Sequence, residues 1–186
     1  MRYIADTVDF ELEEPTVVTI GKFDGRHRGH QKLLRTMEEV KETLGYATAI
    51  FTFSTAPLTL VTGETATVIT TSEERRHNME KMGIDYLVEY PFTDDVRKMD
   101  PAVFVKDILV KRMKAKAVVV GPDCSFGYKG AGNVELLRTL GRELDFRLYV
   151  IEKEKDHRRD ISSTYIREEL SRGNVAKANE LLGEPY

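Results

Sequence analysis

Little in the sequence offers a cross-link, a membrane anchor or a bulk charge. It holds one cysteine, Cys124, and no tryptophan among 186 residues. A lone cysteine makes neither an internal disulfide nor a Cys/His zinc cluster, so an apolar core must hold the fold, and this cysteine usage fits a reducing compartment. No stretch approaches the roughly 18 apolar residues of a spanning helix, and the acidic opening MRYIADTVDFELEEP lacks a signal-peptide core. We therefore expect a cytoplasmic protein with no membrane partner. Charge of one sign is not in excess either: 28 Lys and Arg face 31 Asp and Glu, for a net −3. That balance excludes nucleic-acid binding through bulk charge. Internal repeats, low-complexity runs and Pro/Gly/Ser linkers are absent too. What is there, 41% hydrophobic and 32% charged, suffices for a single domain over residues 1–186 with a substantial core.

Short β-branched runs alternate with helical patterns along the whole chain. Strands are expected at Thr16–Ile20, Tyr46–Phe53, Ile84–Tyr90, Lys116–Val120 and Phe146–Ile151. A helix from about Gly29 to Leu44 puts Leu33, Leu34, Met37, Val40 and Leu44 on one stripe and stops at Gly45. A second, Ser72 to Met82, opens with the capping-box pattern at Thr71 and Glu74. A third starts at Asp100-Pro101 and turns Phe104, Ile108, Leu109 and Met113 inward. Further helices are expected at about Asn133–Leu144, Ser163–Ser171 and Asn174–Leu182. The fold class is α/β: a doubly wound, mainly parallel five-stranded sheet, with ligands at the carboxyl ends of the strands.

Chemistry concentrates in three segments. The first strand runs into GKFDGRHRGHQ (21–31) and then a helix, whose first turn presents unpaired N–H groups and a positive dipole end to an anion. His27 and His30, three apart, can project from that turn as donors to phosphate oxygens, strengthening as charge builds in a transition state. The plain alternative is a polar turn with two solvated histidines. No third ligand lies nearby for a metal, and no Gly-Lys-Ser/Thr follows for a Walker loop. The second segment, ISSTYIR (161–167), also opens a helix. Ser162, Ser163 and Thr164 exceed what one cap needs, so with Arg167 they form a second anion cradle, unless they are a routine cap with an exposed arginine. The third, VGPDCSFGYKGAGN (120–133), leaves a strand rich in glycine and aromatics. Phe126 and Tyr128 could stack on a planar ring and Asp123 accept from a ring or sugar donor; the alternative is a loop with buried aromatics. Cys124 has no His beside it in sequence and reads as a small hydrophobe. Asp94-Asp95 reads as a solvated loop, Glu73–Arg76 as a solvated helix face with His77 at the surface, and KEKDHRRD (153–160) as an exposed loop whose Arg158 and Arg159 could close over phosphates.

GKFDGRHRGH resembles the G-x-F-D-G-x-H-x-G-H signature of the nucleotidyltransferase superfamily, and ISSTYIR its second signature. VGPDCSFG is similar to the V-G-x-D-F-x-F-G segment of the bacterial FAD synthetase module of bifunctional riboflavin kinase/FMN adenylyltransferases. The resemblance covers about Thr16 to Tyr186 and implies a Rossmann-like nucleotidyltransferase fold that converts FMN and ATP into FAD and pyrophosphate. It implies that His27, His30, Ser163, Thr164 and Arg167 carry catalysis. Gly21, Phe23, Asp24, Gly29, Gly121, Asp123 and Ser162 would then bind ATP, and Phe53, Pro57, Phe126 and Tyr128 the flavin. It implies Mg2+ bound through the substrate's phosphates, no metal ligand set on the protein, and ATP and FMN as partners. Three positions depart from the pattern. Arg26 replaces a small apolar residue and puts an extra charge beside the phosphates, Cys124 replaces an aromatic, and the segment from Phe51 to Pro57 lacks a Pro-His-Pro. The chain ends at LLGEPY, where two-module relatives continue into a riboflavin kinase barrel. Two alternatives stay open: nucleotidyl transfer to another phosphorylated acceptor, and a non-catalytic flavin- or nucleotide-binding regulatory module.

Overall fold

The β-branched runs become strands of one sheet in which every pairing is parallel. The computed structural model describes residues 1–54 and 67–186. Its sheet holds β1 (Arg2–Ala5), β2 (Thr16–Ile20), β3 (Ala47–Phe53), β4 (Tyr86–Tyr90), β5 (Ala115–Val120) and β6 (Arg147–Val150), in the order β1-β4-β3-β2-β5-β6. The expected five strands thus become six. The addition, β1, is a four-residue edge strand paired only with β4, and its first two residues are exposed, so no apolar run announced it.

Successive side chains of a strand point to opposite faces, and the two faces gather different helices. Val17, Ile50, Leu87 and Val119 pack on α1 (Arg28–Leu44) and α2 (Ser72–Lys81) through Leu34, Met37, Val40 and Met79. On the other face Val18, Phe51, Val88 and Val120 meet Phe104, Leu109, Leu137 and Leu140. These come from α4, which starts at Pro101–Val103 and widens into π-type turns over Phe104–Arg112, and from α5 (Val134–Leu144). Asp100 caps α4 by accepting from the Ala102 and Val103 N–H groups, and Thr71 and Glu74 form the expected capping box. Asp94 and Asp95 do not lie in a loop. Thr93 caps them into a short helix, α3 (Asp94–Arg97), on which both stay exposed. Residues 153–160 hold a two-stranded hairpin, β7 (Lys155–Asp156) against β8 (Arg159–Asp160), rather than a loop. It leads into α6 (Ser163–Ser171) and α7 (Val175–Leu182), which bury Ile166 and Leu181 against each other. No described helix is long and apolar enough to cross a membrane.

From β2 the sheet grows outward through β3 to β4, and the chain then returns to lay β5 on the other side of β2. The carboxyl ends of β2 and β5 therefore feed loops that diverge, which opens a crevice there.

Candidate active site

The loop leaving β2 is shaped by two backbone positions. Gly25 has φ +69°, and a Cβ there would sit 2.9 Å from Ile69 side-chain atoms. Phe23 is also left-handed, φ +50°, a conformation costing a bulky residue about 1–3 kcal/mol. Burial of its ring to 2% exposure offsets this, and the ring lies 4.9 Å from that of His30. Phe23 thus braces the loop more than it faces solvent.

His27 caps α1, its Nδ1 accepting from the His30 N–H at 3.3 Å. His30 Nδ1 lies 2.8 Å from the Gly25 carbonyl. A carbonyl only accepts, so the His30 ring proton is on Nδ1, whereas the proton of neutral His27 is on Nε2. The rings stack at 3.7 Å. Burial, then the neighbouring His30, pushes His27 down to about 3. Burial pushes His30 down to about 4, against the opposing pull of the Gly25 carbonyl and Asp24. Both imidazoles are neutral near pH 7, one with an N–H to offer and the other with a lone pair.

The second helix start is fastened to this loop. Ser162 caps α6 by accepting from the Tyr165 N–H at 3.2 Å. Ser163 Oγ donates to the Asp24 carbonyl at 2.6 Å, and Arg167 Nη1 pairs with Asp24 Oδ2 at 2.6 Å. Asp24 Oδ1 accepts from the Ile69 and Thr70 N–H groups. Asp24 is therefore a clamp joining three segments rather than part of the cleft wall. The other expected nucleotide-side residues come together in one cleft of about 400 Å³. His27, His30 and Gly29 line it from α1, Gly21 and Phe23 from the β2 loop, Gly121 and Asp123 from the β5 loop, and Ser162, Ser163, Thr164 and Arg167 from α6.

The surrounding charges differ from expectation. Arg26 does not add charge beside the phosphates, because its guanidinium is engaged by Glu184. Arg159 lies 3.8 Å over the Tyr165 ring and 2.6 Å from Glu168, so it braces α6 instead of hanging free over the cleft. Lys153 pairs with Asp123 at 2.9 Å and Asp160 at 3.1 Å. On α2, Arg75 is not solvated: it pairs with Glu89, only 4% exposed, whose other oxygen accepts from Tyr3. Burial, then the hydroxyl-to-carboxylate bond to Glu89, pushes the Tyr3 phenol up to about 12.

A second cavity of about 800 Å³ adjoins the first, and Ile20, Gly21, Lys22, Asp123 and Cys124 line both. Of the residues expected on the flavin side, Phe53, Phe126 and Tyr128 line it, while Pro57 lies outside the described residues. Phe126 is 6% exposed and forms the floor, packed on Phe104 at 5.7 Å and on the backbone of Gly132. Sequence reasoning missed Lys22, Phe92, Arg97 and Phe104 in this wall. The signal for Lys22 and Phe92 was their position just past the carboxyl ends of β2 and β4. Burial, then Asp123, pushes the Cys124 thiol up to about 11, which fits a small hydrophobe and not a nucleophile. Among the described residues no three His, Cys, Asp or Glu side chains gather to hold a metal ion.

The chain is similar to known proteins over most of its length. The chain is 32% identical over 177 residues to a bifunctional riboflavin kinase/FMN adenylyltransferase of Buchnera aphidicola, covering 95% of this chain and 56% of that protein. It is 32% identical over 184 residues to the Listeria monocytogenes protein of the same name, covering 97% and 57%. The chain thus spans little more than half the length of these relatives. A crystal structure from Streptococcus pneumoniae, described as a macrolide-efflux protein, superposes with a TM-score of 0.83 at 26% identity over 99% of this chain and 60% of that one. A pantoate-beta-alanine ligase from Francisella tularensis shares the fold, with a TM-score of 0.58 at 12% identity over 91% and 70%. The sequence model of the FAD synthetase family matches residues 9–165, the stretch that carries β2 through the start of α6, and the chain belongs to that family.

Proposed function

We propose that the protein is an FMN adenylyltransferase, making FAD and pyrophosphate from FMN and ATP. The observation that carries this reading is the convergence of two helix starts on one cleft that opens into an aromatic cavity. In the reaction an oxygen of the FMN phosphate attacks the α-phosphorus of ATP in line. The bond from that phosphorus to the bridging oxygen of the β-phosphate breaks, and pyrophosphate leaves with the electron pair. No protein nucleophile is needed, in keeping with the high thiol pKa of Cys124. Rate then comes from positioning and charge stabilisation.

His27 donates its Nε2–H to a phosphate oxygen. His30 becomes a second donor by taking a proton at Nε2, which the gathering negative charge favours. Ser163 has its hydroxyl on Asp24, so it serves the polyphosphate with its first-turn N–H; Thr164 offers both its N–H and its hydroxyl. Arg167, oriented by Asp24, steadies the leaving pyrophosphate. Gly21, Gly29 and Gly121 let the nucleotide approach the backbone, Ser162 holds the helix start, and Asp123 accepts from a sugar or ring donor. Phe53, Phe92, Phe126 and Tyr128 surround the flavin ring. Magnesium would be held by phosphate oxygens and water, as this ion prefers, because Asp123 and Asp24 are already paired with Lys153 and Arg167. The rest of the relatives' length has no counterpart in this sequence, and we assign to it the riboflavin kinase half of their name. The test is to incubate the protein with ATP, Mg2+ and FMN and follow FAD by chromatography. FAD that disappears in His30→Ala supports the reading; product only with another phosphorylated acceptor, or binding with no product, overturns it.

A further inference from the structure

Joining two phosphorylated molecules brings two anions together, and something must screen their repulsion. The nucleotide's phosphates have donors from both helix starts. The second anion arrives from the aromatic cavity, so its phosphate must lie where the two cavities meet. Five residues line both: Ile20, Gly21, Lys22, Asp123 and Cys124. Asp123 repels a phosphate, and Ile20, Gly21 and Cys124 offer no charge.

The other nearby cations are occupied. Lys153 is shared between two carboxylates, Arg97 lies 3.0 Å from Asp94, and the Lys129 ammonium sits 5.3 Å over the Tyr128 ring. Lys32, Lys41, Lys153 and Lys177 pair with carboxylates, whereas Lys22, exposed, pairs with none among the described residues. Its main chain is held from below: Arg75, itself anchored on buried Glu89, reaches the Lys22 carbonyl at 3.4 Å.

We infer that Lys22 is the anchor for the acceptor's phosphate, reading the presence of a terminal phosphomonoester on the molecule in the aromatic cavity. This rests on the adenylyl-transfer reading for the identity of the acceptor, but it makes its own demand on binding. An ammonium is a compact point charge suited to a phosphate that must also move toward a reaction partner. The step itself stays balanced without Lys22 exchanging a proton, since the acceptor oxygen is already deprotonated near neutral pH.

The test titrates FMN and riboflavin, which differ by that phosphate, into wild type, Lys22→Met and Lys22→Arg, following flavin fluorescence. Wild type should prefer FMN. Lys22→Met should weaken FMN about tenfold, the scale of one exposed charge-assisted hydrogen bond, and leave riboflavin unchanged. Lys22→Arg should keep most of the preference. Equal FMN-to-riboflavin ratios in wild type and Lys22→Met overturn the inference, as does a wild type indifferent to the phosphate. FAD synthesis by wild type is measured in parallel. If the binding ratio collapses in Lys22→Met while wild type makes no FAD, the anchor stands and the proposed reaction falls; the reverse pattern spares the reaction and removes the anchor.

Discussion

The stacked histidines should make the protein lose stability in mild acid, in a pH window set by their burial. Folded His27 titrates at about 3 and His30 at about 4, whereas each has an ordinary value of 6.5. Between those limits the unfolded chain binds more protons than the folded one, so stability rises with pH there. It is fully present above 6.5, falls as pH drops below it, and the loss is complete once pH passes below the folded values. At pH 5 each histidine is about 1.5 pH units below its unfolded value and still neutral when folded, which at 1.36 kcal/mol per unit is about 2 kcal/mol apiece. The pair together approaches about 4 kcal/mol, an upper figure because part of the His27 shift comes from His30, and a large share of the 5–15 kcal/mol of a typical domain. Urea midpoints at about pH 7.5, 6 and 5 would measure this in wild type and in His27→Asn/His30→Gln, where Asn keeps a capping oxygen. The double variant should lose far less between pH 7.5 and 5. A drop equal to wild type's would refute the reasoning, since the protons would then be binding elsewhere.

Three other outcomes follow from the site's geometry. Asp24→Asn keeps an oxygen for the Ile69 and Thr70 N–H groups but loses the charge that holds Arg167. Its kcat/KM for ATP should fall about 10- to 100-fold with a nearly native melting temperature, and the opposite pattern would make Asp24 merely structural. Gly132→Ala puts a methyl 2.4 Å from the Phe126 ring, which should cost about 1–3 kcal/mol of stability and weaken flavin binding; wild-type melting and binding would contradict the packing described. Cys124, its thiol raised to about 11 by burial, should be alkylated by iodoacetamide at pH 8 far more slowly in the folded protein than in urea, and equal rates would exclude the burial.

The sequence was most legible where one segment carries its own instructions. The stripe Leu33, Leu34, Met37, Val40, the Thr71–Glu74 capping box and the Asp100 cap are each written within a few residues, and each appears in the fold. So do the two helix starts whose first turns line the cleft. What could not be read is what one segment does to another. Arg26 looked like a cation for phosphates until Glu184, at the far end of the chain, engaged it. Asp24 sits inside a signature yet spends its carboxylate on Arg167 and the backbone at residues 69 and 70. The aromatic cavity draws on segments as far apart as Phe53, Phe92 and Phe126, and a list of such residues does not say which will face one another. Strand β1 is too short and too exposed to leave a periodic trace.

That edge strand has a consequence for assembly. Arg2 lies opposite Tyr86, with β4 as β1's neighbour in the sheet. A ribosome releases residues in chain order, so β1 is made before its partner β4 and must wait, unmatched, until the chain has been extended past Tyr90. Each remaining parallel pairing also spans a crossover, and such distant closures are slow. Once β4 emerges, zipping Arg2–Ala5 onto it moves the sheet's outer edge from β4 to β1, a strand of four residues that offers a neighbouring chain only a short row of unpaired groups.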